Sequence, residues 1–299
     1  MKAAVWHSQG DIRIEDVATP SPGPGQVKLK IKACGICGSD LHEFKSGPFL
    51  IPRKSHPLTG RAGGPMILGH EFSAEITELG EGVKDWNPGD RVAVNPLIYC
   101  GRCHYCMRGE YVMCTSLGTY GLASDGAFAE YAVFPQGSLL KLPDSVTDDK
   151  GAFVEPLAVA LHAVNRSGMR LGASVAVVGA GPIGLLVMQA ARAAGAREVY
   201  VVEPLEARRN LALRTGASAV FDPQKDDAGA AIGSLTGGLR VDVAFDCVGI
   251  QASFDTAVQV TGRRSRICIV GLALKPVEVP FARLWGHEKE LTFSTDRKS

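Results

Sequence analysis

The 299-residue sequence predicts an α/β chain of two domains: a β-rich domain over 1–147 and a doubly wound parallel-sheet domain over 148–299. Three observations predict it. Up to about residue 145 the chain consists of short alternating strands broken by glycine and proline turns. After Pro143 continuous apolar strands alternate with helical stretches, the pattern of a parallel sheet covered on both faces. The first of those strands runs into a glycine-rich loop with nucleotide-binding spacing.

The elements follow in order. Val27–Ala33 and Ala74–Leu79 alternate apolar and polar residues, as half-buried strands do. Thr19–Gly25, rich in proline and glycine, reads as a rigid surface loop. Asn87-Pro88-Gly89-Asp90 is a turn before the strand Arg91–Val94, and Glu130–Phe134 is a further strand. Asp148–Ala152 looks like a capped helix start, with alanine-rich sequence to about Asn165. Six strands then follow at Ser174–Gly179, Glu198–Glu203, Ala219–Asp222, Val241–Cys247, Arg266–Gly271 and Leu291–Thr295, with helices near 183–194 and 205–215. Six is the number in a full dinucleotide-binding sheet.

Composition narrows the function. The apolar fraction of 45% and charged fraction of 21% are ordinary for a globular protein. Net charge is +1 with no basic tract, which predicts no nucleic-acid partner. No apolar run approaches the ~20 residues that span a membrane. The sequence opens on a strand pattern rather than a signal peptide, and its eight cysteines fit a reducing, cytoplasmic setting in which thiols bind metal.

Cys100, Cys103, Cys106 and Cys114 fall within fifteen residues. Two-residue gaps let one tight loop wrap four thiolates around a zinc ion, with Gly101 and Gly109 permitting the turns. Four ligands leave no position for a substrate, so this site is expected to be structural.

Gly179-Ala180-Gly181-Pro182-Ile183-Gly184 is a G-x-G-x-x-G loop between a strand and a helix. Gly179 permits the turn, Gly181 admits a pyrophosphate and Gly184 lets helix and strand pack closely. Glu203, at the end of the second strand, is placed to grip ribose hydroxyls and to repel a 2′-phosphate, which favours NAD. Arg208 either flanks the adenine or weakens that choice by pairing with a phosphate.

An open metal site is less explicit. Cys37 lies beside Ser39 and Asp40, His70 stands in Gly69-His70-Glu71, and Glu155 is an acid in an otherwise apolar helix. One thiolate, one imidazole and one carboxylate leave a fourth position for substrate. Each also has an ordinary reading: a core cysteine, a hydrogen-bonded loop histidine and a helix-start acid.

Several segments together resemble the zinc-dependent medium-chain alcohol dehydrogenase family, within it the 2,3-butanediol dehydrogenases (acetoin and diacetyl reductases). They are Cys34–Glu43, His56–Gly60, Gly69–Phe72, the cysteine loop, Gly126–Tyr131, Glu155–Ala163 and Gly179–Gly184. The resemblance implies a GroES-like domain joined to a Rossmann domain, two zinc ions per chain and NAD. It implies that Cys37, His70 and Glu155 bind the catalytic zinc, with Glu71 beside the metal and able to exchange with water or Glu155. It implies that Ser39 takes the alcohol proton, His42 passes it on and Asp40 orients His70. It also implies a homodimer or homotetramer.

Family members usually run about fifty residues further, so the last helix and the return segment are expected to be missing. Gly262-Arg263-Arg264-Ser265-Arg266 departs from the family's glycine-rich turn. Two readings follow: an active dehydrogenase of small secondary alcohols or vicinal diols, or a truncated, catalytically silent zinc- and NAD-binding product of a polyol or alcohol dehydrogenase gene. A chain ending at Ser299 is expected to aggregate and to show little activity.

Overall fold

The computed structural model describes residues 1–295. It divides into two compact units, one over Met1–Glu155 and one from Pro156 onward.

The first unit is mainly antiparallel. Its elements are β1 (Lys2–Ser8), β2 (Asp11–Asp16), β3 (Gln26–Gly35), α1 (Gly38–Ser46), β4 (Met66–Ile67), β5 (Glu71–Leu79), β6 (Arg91–Val94), β7 (Leu97–Ile98), β8 (Gly118–Thr119), β9 (Tyr131–Pro135), β10 (Leu139–Lys141) and α2 (Asp148–Ala152). Thr147 caps α2, its hydroxyl accepting from the Lys150 amide. Five strands form one sheet in the order β10-β6-β5-β3-β9, three form β2-β1-β4, and β7 pairs with β8. Alternation decides what is buried. Val27 and Leu29 of β3 meet Phe72, Ala74 and Ile76 of β5 and Phe134 of β9 in one core. The register of β3 on β5 sets Gly35 opposite Glu71. The chain leaving β3 therefore runs beside the chain entering β5, and that proximity brings Cys37 close to His70 and Glu71.

The second unit begins within α3 (Val154–Ser167) and continues β11 (Ser174–Val178), α4 (Pro182–Ala193), β12 (Glu198–Val202), α5 (Glu206–Thr215), β13 (Ala219–Phe221), α6 (Ala228–Leu235), β14 (Val241–Asp246), α7 (Gln251–Val260), β15 (Thr261–Ile269), α8 (Phe281–Gly286) and β16 (Glu290–Phe293). Its six strands form one sheet ordered β13-β12-β11-β14-β15-β16, every pair parallel. Alternate residues serve opposite faces. Val175 and Val177 pack under α3 and α4 with Val187 and Met188. Ala176 and Val178 join Ile232, Phe254 and Val258 of α6 and α7. Burial on both faces is why these strands read as continuous apolar runs.

The fold class is the one expected from sequence, with one local difference. β15 starts at Thr261, five residues before the expected Arg266, so the arginine run is strand rather than turn. Arg264 and Arg266 are tolerated there because Glu288 and Glu290 pair with them.

Candidate active site

The four-cysteine loop closes on itself. The ligand atoms of Cys100, Cys103, Cys106 and Cys114 all lie within 4.8 Å of one another. Gly101 and Gly109 carry it through left-handed turns at φ 69° and 75°. The Cys103 amide donates to Cys100 Sγ, and the Cys100 and Ser116 amides donate to Cys114 Sγ. A tetrahedron with arms of about 2.3 Å has edges of about 3.8 Å. The Cys100–Cys106 sulfur separation is 3.9 Å, close to such an edge and far from a disulfide. Amides of Cys106 and Thr115 hold the Cys103 thiol down to about 6. Burial and neighbouring sulfurs push Cys106 up to about 12. Sulfurs this close resist sharing negative charge, and a divalent cation removes that conflict, so the donor set fits zinc.

The second group stands where β3 leads into α1. Cys37 is the N-cap of α1, and its amide donates to Asp40 Oδ2 at 2.9 Å. Cys37, His70 and Glu71 bring their ligand atoms within 4.8 Å of one another. Two glycines make the room. A Cβ on Gly35 would stand 2.6 Å from Glu71 Oε2, and one on Gly69, at φ 91°, would strike the Phe128 ring. Burial, then the Glu71 carboxylate, raise the Cys37 thiol, while a hydrogen bond from Ser39 opposes them. Burial also raises Glu71 and Asp40, and His70 lowers both. The Nδ1 atom of His70 faces Asp40 Oδ1 at 3.7 Å, and both buried atoms lack a hydrogen-bond partner among the described residues. Ser39 Oγ lies 3.4 Å from His70 Nε2. Thiol, imidazole and carboxyl crowded together with orphaned polar atoms fit a bound cation.

The carboxylate in this compact group is Glu71. Glu155 is buried in the first turn of α3 and is not among the mutually close donors. His42 is half-buried on α1, one turn beyond Ser39.

In the second unit Gly179 turns at φ 92°, Gly181 is the N-cap of α4 and Pro182 opens the helix, followed by Ile183. A Cβ on Gly179 would strike Val248, and one on Gly184 would stand 1.9 Å from Gly179 O, whereas Gly181 faces open space. Amides and a helix N-terminus beside open space fit a pyrophosphate. Glu203 is buried and already engaged: Oε2 accepts the Ala180 amide at 2.7 Å and Oε1 the Leu205 amide at 3.0 Å. Arg208 is half-exposed, 3.9 Å from Glu203. Arg209, which the sequence reading passed over, donates to the Glu203 and Pro204 carbonyls and pairs with Asp222 at 3.3 Å. Asp246 was also missed. Its Oδ1 accepts the Val248 and Gly249 amides and fixes the loop that packs on Gly179. An acid ending a strand ahead of a glycine was the available signal.

Comparison with known proteins shows the family. Residues 23–144 match the alcohol dehydrogenase GroES-like domain family, and residues 182–296 match the zinc-binding dehydrogenase family. The chain is 46% identical over 281 residues to (R,R)-butanediol dehydrogenase of Bacillus subtilis, covering 93% of this chain and 80% of that protein. It is 35% identical to sorbitol dehydrogenase of the same organism, covering 94% and 78%. The crystal structure of 2R,3R-butanediol dehydrogenase from Bacillus subtilis superposes with a TM-score of 0.91 at 42% identity, covering all of this chain and 85% of that one. Among the described residues no helix is long and apolar enough to cross a membrane.

Proposed function

This chain belongs to the zinc-dependent medium-chain alcohol dehydrogenase family, and on that premise we propose that its substrate is a small secondary alcohol or vicinal diol of the 2,3-butanediol and acetoin type. It is a zinc-dependent, NAD-linked alcohol oxidoreductase. The substrate class rests on the 46% identity to (R,R)-butanediol dehydrogenase.

Bound zinc supplies a Lewis acid that brings an alcohol's pKa toward neutrality, and bound NAD supplies the hydride acceptor. The chain's own residues do the rest. Cys37, His70 and Glu155 would hold the catalytic ion, with Glu71, drawn up against Cys37 and His70, placed to stand in for water or Glu155. Asp40 keeps the His70 ring turned so that Nε2 faces the site. Ser39 takes the alcohol proton, and His42 passes it toward solvent. The amides of the Gly179–Gly184 loop hold the pyrophosphate, Glu203 the ribose hydroxyls, and Arg208 flanks the adenine side. Cys100, Cys103, Cys106 and Cys114 hold a second, structural ion. We place the enzyme in the cytoplasm, where thiols stay reduced. We also propose a homodimer or homotetramer built through the edge strand β16, which size-exclusion chromatography with light scattering tests.

The deciding experiment is a substrate panel followed by NADH formation. Butanediol and acetoin are expected to turn over faster than ethanol or sorbitol. Sorbitol as the best substrate would move the chain to the polyol branch and leave the reaction class intact.

A further inference from the structure

The arginine run at the start of β15 lies outside the residues assigned above to the dehydrogenase chemistry. Arg264 pairs with Glu288 at 2.6 Å, and Arg266 pairs with Glu290, so that pair of charges is neutralised. Arg263 is different. It lies near His287 together with Arg240, Arg283 and Lys289, and among the described residues no carboxylate pairs with any of these five.

The cluster has a defined place. Arg240 precedes β14, Arg263 is the third residue of β15 and Lys289 precedes β16. These strands are parallel, so all three residues lie at the amino-terminal end of the sheet. The Gly179–Gly184 loop follows the carboxyl end of β11, the opposite end, where nucleotides bind in such folds.

Two members are fixed by the fold. Lys289 Nζ donates to the Val258 and Thr261 carbonyls and to Thr261 Oγ1, and Arg240 Nη1 donates to the Gln259 carbonyl. They cap the last turn of α7, whose partial negative charge offsets only about half a unit. Arg263 and Arg283 are exposed and carry no such bond among the described residues. Burial and then Arg283 and Arg240 press the Lys289 ammonium down to about 8, a sign that these like charges repel one another. Backbone strain collects here too. Of the four non-glycine residues with left-handed φ in the described chain, Arg240, Arg264 and Glu288 stand at this end of the sheet. Such residues cost of order 1–3 kcal/mol each and concentrate at functional sites.

We propose that Arg240, Arg263, Arg283, His287 and Lys289 form a second ligand site, distinct from the nucleotide site, for a soluble anion bearing two or more phosphoryl groups. Preorganised cations at a fixed spacing recognise such a ligand through charge-assisted hydrogen bonds. A phosphorylated lipid headgroup shares that chemistry, so the test separates the two sources.

Trp285 is 83% exposed and lies two residues from both Arg283 and His287, whereas Trp6 is buried and Trp86 lies in the first unit, so in a Trp86→Phe background the emission of Trp285 is a local reporter. Inorganic tripolyphosphate is titrated into the full chain at low ionic strength, with saturating NAD filling the glycine loop. Binding is followed by Trp285 fluorescence and by calorimetry. Saturable binding that weakens with added salt is expected. The double variant Arg263→Ala/Arg283→Ala is expected to bind roughly tenfold more weakly or worse. Lys54→Ala, which removes an exposed charge in the first unit outside the cluster, should bind as the unmodified chain does. Absence of saturable binding, or equal binding by the double variant, overturns the proposal. So does sedimentation with vesicles containing phosphatidylinositol bisphosphate without a response to tripolyphosphate, which would assign the cluster to a lipid surface.

Discussion

Glu203 holds the glycine loop through the Ala180 amide, so the proposed ribose acceptor also has a structural task. Both oxygens accept backbone N–H bonds, yet each retains a lone pair for a ribose hydroxyl. Glu203→Ala therefore removes the ribose acceptor and frees two amides together. At about 1.5–3 kcal/mol for a hydrogen bond to a charged group, NAD is expected to weaken roughly ten- to hundredfold. NADP should lose less, because repulsion of its 2′-phosphate is relieved while Arg208 remains. Fluorescence titration of both cofactors checks this, and tighter NADP binding by the unmodified chain would mean that Arg208 outweighs Glu203. The metal site offers a parallel comparison. Glu71→Gln and Glu155→Gln are each purified and assayed for zinc by elemental analysis. Two ions per unmodified chain and one in Cys37→Ala are expected. Glu155→Gln should lose the second ion more readily to a mild chelator than Glu71→Gln does. The reverse order would make Glu71 the permanent ligand, as its place beside Cys37 and His70 suggests.

Helix α7 ends on a lysine brought from 28 or more residues away, and this cap makes stability depend on alkaline pH. The ordinary Lys289 pKa of 10.5 falls to about 8 in the fold, first through burial and then through Arg283 and Arg240. Between those values the unfolded chain binds more protons than the folded one, so stability rises with pH across that window. Below about 8 the charged ammonium carries its full penalty. The unmodified chain should therefore gain on Lys289→Met as pH climbs from 8 to 10.5, read from paired thermal melts. A difference that stays flat would show that its three hydrogen bonds hold the lysine charged throughout. At this scale the sequence was unevenly legible. The cysteine loop and the glycine loop could be read because their donors are local, set by two-residue gaps and by a strand-to-helix turn. The Cys37–His70–Glu71 grouping could not, because it depends on β3 pairing with β5 in one register, with Gly35 opposite Glu71. The early start of β15 was hidden for the same reason: its arginines are acceptable in a strand only because Glu288 and Glu290 arrive from beyond α8. The inward bonds of Glu203 and the Arg209–Asp222 pair are likewise tertiary facts.

Across the whole molecule the two kinds of chemistry divide between the two units. Every proposed metal donor, from Cys37 to Glu155, lies in the first unit, and every proposed nucleotide contact, from Gly179 to Arg208, lies in the second. Each unit has its own core. The first is built on Val27, Leu29, Phe72 and Phe134, the second on the two faces of β11 with α4 and α7. Removing metal thus takes donors' partners only from the first. Among the described residues the four-cysteine loop buries only Cys106, Val112 and Cys114, two of them metal donors, so zinc is expected to be the main constraint on its shape. The proposed open site has three protein ligands to the loop's four, and a mild chelator should empty it first. Dehydrogenase activity is then expected to vanish while NAD still binds within about twofold of its original affinity, since no nucleotide contact has been touched. A stronger chelator should next lower the melting temperature as the cysteine loop opens. Zinc content, NADH formation and NAD titration on the same samples test the order. Loss of NAD binding in step with the first zinc would mean that the catalytic ion also organises the nucleotide site, and that the chemical division does not follow the structural one.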